Sequence, residues 1–202
     1  MQNNLIVKLF NLFNFKRERK NMFLLVGLGN IGKKYELTRH NFGFLALDSI
    51  ILQYNLSKSA NKFESEVFTG QIGENKIIAI KPQTFMNNSG VSVGAASSFY
   101  KIPAENIIVF HDEIDIKLGE IRVKKGGGNA GHNGLKSIDQ RIGKDYWRFR
   151  LGVSRPQNPE YEVSDYVLSK FSKDELTVVE EMNYDLSKKL PDFLVEKKLT
   201  TD

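Results

Sequence analysis

Two kinds of hydrophobic pattern alternate along the chain. Phe23–Val26 is a short continuous apolar run closed by Gly27, the mark of a buried strand. From Asn41 to Gln53 the apolar positions repeat at helical spacing, with Phe44, Leu47 and Ile51 on one face and Leu45 and Leu52 beside it. Val67–Ile72 and Lys76–Lys81 flank Gly73-Glu74-Asn75 and predict a hairpin. Ser89–Tyr100, rich in small residues, predicts a weak helix. Ile107–Phe110 and Glu120–Lys124 predict two more strands, and Leu135, Ile138 and Ile142 mark a short helix. Trp147, Phe149, Leu151 and Val153 alternate with Arg148 and Arg150, which predicts a half-buried strand with a basic outer face. Ser172 with Glu175 forms a capping box ahead of a long helix through Leu176, Val179, Leu186 and Leu190, with Pro191 as its stop.

Strands interleaved with helices predict an α/β fold, and the hairpin makes its sheet mixed: a twisted mixed β-sheet flanked by helices in a single domain. No repeat, low-complexity tract or linker divides the chain after residue 22. Residues 1–21 stand apart. An apolar run from Leu5 to Phe15, broken by Lys8 and asparagines, precedes the basic cluster of residues 16–20. That order, charge after apolar run, is the reverse of a signal peptide. A membrane-touching amphipathic helix fits the pattern. The simpler expectation is an extension, disordered or non-native, ahead of an internal start at Met22, with the domain running over 22–202.

Composition narrows the chemistry. The 202 residues suffice for one domain with a substantial core, and 41% hydrophobic with 26% charged residues excludes wholesale disorder. No cysteine is present, which removes disulfides, thiolate metal sites, iron–sulfur clusters and a thiol nucleophile. The only histidines are His40, His111 and His132, so a His-rich metal site would use nearly all of them; no metal or organic cofactor is expected. No apolar run approaches the ~18 residues of a membrane span. The net charge of +5 is uneven: +4 in residues 1–21, −1 in 22–116, +7 in 117–155 and −5 in 156–202. A local positive field of this kind suits a polyanionic partner.

Gly27-Leu28-Gly29-Asn30-Ile31-Gly32 follows a strand and matches a dinucleotide fingerprint. The next residues, 33–40, lack an apolar helical face, and Asp48 lies inside a helical pattern rather than at a strand end, so a nicotinamide or flavin site is not expected. The glycines instead let a strand-to-loop turn pass close to a bound group. Ser98-Phe99-Tyr100-Lys101 matches S-x-x-K but lacks its partner motifs, so serine catalysis loses its support. What remains is neutral amides and histidines at strand ends and in loops: Asn30, Arg39-His40-Asn41, Met86-Asn87-Asn88, His111-Asp112-Glu113 and Gly131-His132-Asn133-Gly134. Asp112 follows a strand and can orient an imidazole; asparagines offer both donor and acceptor to a peptide. These residue types favour hydrolysis of an acyl bond by water. Gly126-Gly127-Gly128, after Lys124 and Lys125, adds a candidate phosphate-binding face together with Arg150.

In this order the motifs resemble the bacterial-type peptidyl-tRNA hydrolase family. The resemblance runs from Gly27-Leu28-Gly29-Asn30 and Thr38-Arg39-His40-Asn41-Phe42-Gly43, through Phe85-Met86-Asn87-Asn88-Ser89-Gly90 and His111-Asp112-Glu113-Ile114-Asp115, to Gly131-His132-Asn133-Gly134-Leu135, Arg150-Leu151-Gly152-Val153 and Tyr166-Val167-Leu168. It covers about Met22 to Phe171. It implies cleavage of the ester between a peptide and the 3′ end of its tRNA, with His40 catalytic and Asp112 supporting it. It further implies substrate contacts from Asn30, Tyr35, Met86, Asn87, His132 and Asn133, and a clamp on the tRNA 5′-phosphate from Lys124 and Arg150. The partner implied is peptidyl-tRNA, without a membrane, in a cytoplasmic monomer. Four departures stand out: Ile31 replaces the usual proline, Asn129-Ala130 replaces histidine-glycine, no tRNA-binding lysine occurs around Gln157–Glu160, and residues 1–21 have no counterpart in the family. The rival readings are a non-catalytic tRNA- or rRNA-binding protein of the same fold and an NAD-dependent oxidoreductase.

Overall fold

The computed structural model describes residues 21–59, 61–158 and 160–197; the extension expected over residues 1–21 lies outside them except for Asn21. Among the described residues seven strands form one sheet: β1 Met22–Gly27, β2 Ser57–Lys58, β3 Ser65–Ile72, β4 Asn75–Pro82, β5 Ile107–Glu113, β6 Ile121–Lys125 and β7 Trp147–Gly152. Their order is β2-β3-β4-β1-β5-β7-β6. The four central strands β4, β1, β5 and β7 run parallel; β3 on one side and β6 on the other pair antiparallel with them, and β2 pairs antiparallel with β3. The pairing begins one residue before the expected boundary, since the Asn21 carbonyl accepts from Lys76 N at 2.9 Å.

Helices cover both faces, as parallel strands require. On one face α1 (Phe42–Gln53) and α5 (Lys173–Glu196) pack Leu47, Ile50, Leu186 and Phe193 against Phe23, Leu25, Phe110 and Phe149. On the other, α2 (Ser89–Tyr100) and α3 (Asn133–Ile142) pack Val93, Ala96 and Ile138 against Leu24, Val26 and Val109. A short α4 (Val163–Leu168) bridges β7 to α5. The chain passes from β1 to β4 on one side of it and from β4 across to β5 on the other, so the loops after these strands part at their carboxyl ends and open a crevice there.

Two expectations are corrected. Pro191 does not stop α5, which continues to Glu196. Proline has no N–H to offer the Ser187 carbonyl four residues back; the Tyr54 hydroxyl donates to that oxygen instead, at 2.7 Å. Nor does β7 have a basic outer face. Arg148 is only 2% exposed, donating to Asp139 at 2.9 Å and to the Gly128 carbonyl at 2.6 Å. Paired on both sides by β5 and β6, β7 is an interior strand, and its alternation places an arginine inside rather than in water.

Candidate active site

The turn after β1 is held by close backbone contact with α1. A Cβ on Gly43 would lie 2.2 Å from the Phe110 carbonyl oxygen and 2.5 Å from Leu28 N; a Cβ on Gly27 would lie 2.6 Å from the Gly43 carbonyl oxygen. Gly27 of the Gly-x-Gly motif therefore serves close helix–strand packing, and Gly29 leaves room for the Phe44 ring, which a Cβ there would meet at 2.6 Å. The packing aims the next turn, Arg39–Asn41, at the end of β5. Asn41, buried, accepts from Asn30 N at 2.8 Å and donates to the Asn30 carbonyl at 2.9 Å, while the Asn30 side-chain oxygen accepts from Met86 N at 3.0 Å. Three segments far apart in sequence are thereby tied at one asparagine.

All three histidines of the chain converge on Asp112. His40 Nδ1 lies 2.9 Å from Asp112 Oδ1, and His132 Nε2 lies 3.0 Å from the same oxygen. His111 Nδ1 faces the Asp112 carbonyl oxygen at 2.8 Å, and its ring stands edge-on to that of His132. A carboxylate only accepts, so each nitrogen facing it carries the proton. His40 is thus left with its Nε2 lone pair unengaged by Asp112. His132 Nδ1 accepts from Leu135 N at 3.4 Å and caps α3.

The charge pattern follows from burial and pairing. Burial alone would raise the Asp112 pKa, but His40 and His132 beside it outweigh that and hold it well below the usual carboxylate range. Burial disfavours the charged form of His40; the attraction of Asp112 and its hydrogen bond overcome this, and the His40 pKa is raised. His111 moves the other way: burial first, then the neighbouring His132, push it down to about 3, so it is neutral. Its Nε2 is buried without a partner among the described residues. His40, Asp112 and His132 also have the composition of a small metal site. His40 Nδ1 and His132 Nε2 are both engaged by Asp112 Oδ1, so an ion held through those two nitrogens would displace both hydrogen bonds.

A cavity of about 620 Å³ opens over this cluster. Of the residues singled out in the sequence, Asn30, His40, Met86, Asn87, Asp112, His132 and Asn133 line it. Tyr35, Lys124 and Arg150 are not among its lining residues. Tyr35 is half-buried in the turn Lys33–Tyr35, under the Lys34 ammonium. Lys124 is exposed on β6, close enough to Gly127 that a Cβ there would lie 2.7 Å from its Nζ. Arg150 is half-buried and donates to Glu113 at 3.0 Å, not free on an exposed face as its alternation suggested. By strand register Arg122 lies opposite Arg150 and Lys124 opposite Arg148, so all four stand on one face of the sheet. The apolar wall of the cavity was missed: Phe85, Ile114, and Val163, Val167 and Leu168 of α4. The spacing of Val163 and Val167, one helical turn apart, was the available signal.

The sequence pattern that describes peptidyl-tRNA hydrolases matches residues 24–201. The chain belongs to the peptidyl-tRNA hydrolase family. It is 54% identical to the Wolbachia pipientis peptidyl-tRNA hydrolase over 151 residues, spanning 75% of this chain and 82% of the relative. It is 53% identical to the Rickettsia bellii peptidyl-tRNA hydrolase over 161 residues, spanning 79% and 86%. The crystal structure of the Acinetobacter baumannii peptidyl-tRNA hydrolase superposes with a TM-score of 0.81 at 37% identity, covering 88% of this chain and 90% of that one. An Arabidopsis thaliana 5′-methylthioadenosine nucleosidase shares the fold alone, with a TM-score of 0.55 at 8% identity over 89% of this chain and 98% of that one.

Proposed function

We propose that this chain cleaves the ester joining a peptide to the 3′ end of tRNA in peptidyl-tRNA, returning free tRNA to translation. The observation that carries the reading is the His40–Asp112 pair at 2.9 Å beneath a cavity lined by amides, in a member of this family. His40 Nε2 takes a proton from water as the water oxygen attacks the ester carbonyl. Asp112 holds the ring and stabilises the imidazolium that forms. As the tetrahedral intermediate collapses, the bond to the tRNA 3′ oxygen breaks and His40 returns the proton to that oxygen. The products are a peptide acid and a tRNA hydroxyl, and no metal or cofactor enters the balance.

The peptide lies against Asn30, Met86, Asn87, His132 and Asn133, with the apolar wall taking its side chains. The acceptor stem lies on the β6 face, with its 5′-phosphate between Lys124 and Arg150, where Arg150 must share its guanidinium with Glu113. We read the working protein as a cytoplasmic monomer, its domain beginning near Met22. Among the described residues no helix is long and apolar enough to cross a membrane. Incubation with an N-blocked peptidyl-tRNA should release tRNA and the blocked peptide, with aminoacyl- and formylmethionyl-tRNA as controls. Binding of tRNA without turnover would overturn the reading and leave a non-catalytic RNA-binding protein.

A further inference from the structure

Arg39 immediately precedes the proposed base yet turns away from the cavity. Its guanidinium is buried: the side chain is 8% exposed. Nη2 donates to both carboxylate oxygens of Glu175, at 2.7 and 2.8 Å. Nη1 donates to Ser169 Oγ at 2.8 Å and to the Lys170 carbonyl at 2.9 Å. The plane lies over the Tyr166 ring at 4.4 Å and near the Phe171 ring at 5.2 Å. The backbone repeats the connection: Arg39 N donates to the Ser169 carbonyl at 3.1 Å and Phe171 N to the Leu37 carbonyl at 3.0 Å.

Glu175 has a second partner. It closes the capping box of α5 by accepting from Ser172 N at 2.7 Å. One guanidinium therefore joins three things: the turn that carries His40, the carboxyl end of α4 and the amino end of α5. A cation at the former helix end and an anion at the latter also suit the two helix dipoles. The same α4 supplies Val163, Ser164, Val167 and Leu168 to the cavity wall.

We propose that Arg39 is a positioning residue that, through Glu175 and Ser169, sets His40 against Asp112 and the α4 wall against the cavity floor. The proposal rests on the reading of His40 as the base. Lysine cannot replace it, because an ammonium has neither the planar fork nor the stacking face. Of the titratable groups around His40, Asp112 and Glu113 come from β5 and His132 from the start of α3, with His111 behind His132. The α4 residues that line the cavity do not titrate. A looser His40–Asp112 contact removes the attraction that favours the imidazolium, so the acid limb of the rate profile moves to lower pH even as the rate falls. A merely structural role lowers the folded fraction and leaves the limb where it was.

The experiment is kcat and KM for peptidyl-tRNA across the acid limb, for the full chain and for Arg39→Lys, Glu175→Gln and Ser169→Ala. Arg39→Lys and Glu175→Gln should each lower kcat roughly tenfold or more, the scale of a small misplacement of a reacting group. KM should change little and the acid limb should shift downward. Ser169→Ala, which removes one acceptor and keeps the ion pair, should shift it in the same direction by less, and it stands in if the other variants do not fold. Losses with an unmoved limb, losses that track the folded fraction by circular dichroism, or no loss at all would each overturn the proposal. His40→Asn separates the two readings. If its residual activity keeps the acid limb, the assignment of His40 falls and takes the proposal with it. If the limb vanishes there but stays unmoved in Arg39→Lys, only the role of Arg39 falls.

Discussion

On the cavity floor Asp112 is buried and accepts from two imidazoles at 2.9 and 3.0 Å, with a third histidine against its own carbonyl. Along β6, Arg122, Lys124 and Lys125 stand exposed on an edge strand, with Arg122 paired to the exposed Glu120. Both regions are polar. They hold charge in opposite ways. Buried charges in low dielectric act over short distances, strongly and as a unit, and salt barely reaches them. Exposed cations act over the Debye length, nearly independently, and salt weakens them. A region of the first kind can move a proton; one of the second kind can attract and orient a polyanion.

Breaking the cavity floor should have the largest effect. His40→Ala should lower turnover by the ~10²–10⁴-fold typical of a lost general base while tRNA binding holds. Asp112→Asn should act in the same direction, and in the His40→Ala background its effect should largely disappear, because the two residues act together. Purely additive losses, read from kcat of the two single variants and the double variant, would argue against the pairing.

The proposed phosphate clamp should have a smaller effect of a different kind. Lys124→Ala with Arg150→Ala should flatten the salt dependence of tRNA binding by one or two ion equivalents, at ~0.7–0.9 per phosphate contact. An unchanged slope in a salt series would mean that these cations do not meet phosphate.

Acid stability sharpens the comparison further. With its pKa held down at about 3 against an ordinary 6.5, His111 binds its proton later than the unfolded chain does. Its contribution therefore falls as the pH drops from about 6.5 toward 3. His40 has the opposite sign: its raised pKa adds stability below the ordinary value, and that addition is lost as the pH rises through the raised one. His111→Gln should thus flatten the loss of stability in acid, measured as urea midpoints at about pH 4 and about pH 7. A slope as steep as that of the parent protein would contradict the buried neutral state.

Removing residues 1–21 should change least. The Asn21 carbonyl loses its bond to Lys76 N, and fold and turnover should otherwise match the full chain. Loss of folding would make the extension part of the domain.

How far these features could be read in advance depended on whether they were local. Strands β1 and β5 announce themselves as apolar runs, and the capping box of α5 is spelled out by Ser172 and Glu175. The convergence of His40, Asp112 and His132 was legible only through motif order, since their bonds span 72 and 20 residues. Arg148 was misread because alternation tells which face a residue takes, not whether that face meets water; Asp139 and the glycine loop cover it. Pro191 was misread because the rule for a helix stop assumes an unanswered carbonyl, and Tyr54 answers this one. The partners of Arg39 lie about 130 residues away, beyond any local pattern.

The central claim is that chemistry and RNA recognition sit in separate regions, the floor under His40 and the β6 face. Its most direct test is kcat/KM of His40→Ala and of the Lys124→Ala, Arg150→Ala double variant on two substrates: peptidyl-tRNA, and a short peptidyl-nucleotide ester with no 5′ end. The account predicts that His40→Ala fails on both alike, while the double variant loses on peptidyl-tRNA and holds on the short ester. Equal losses of the double variant on the two substrates would contradict it.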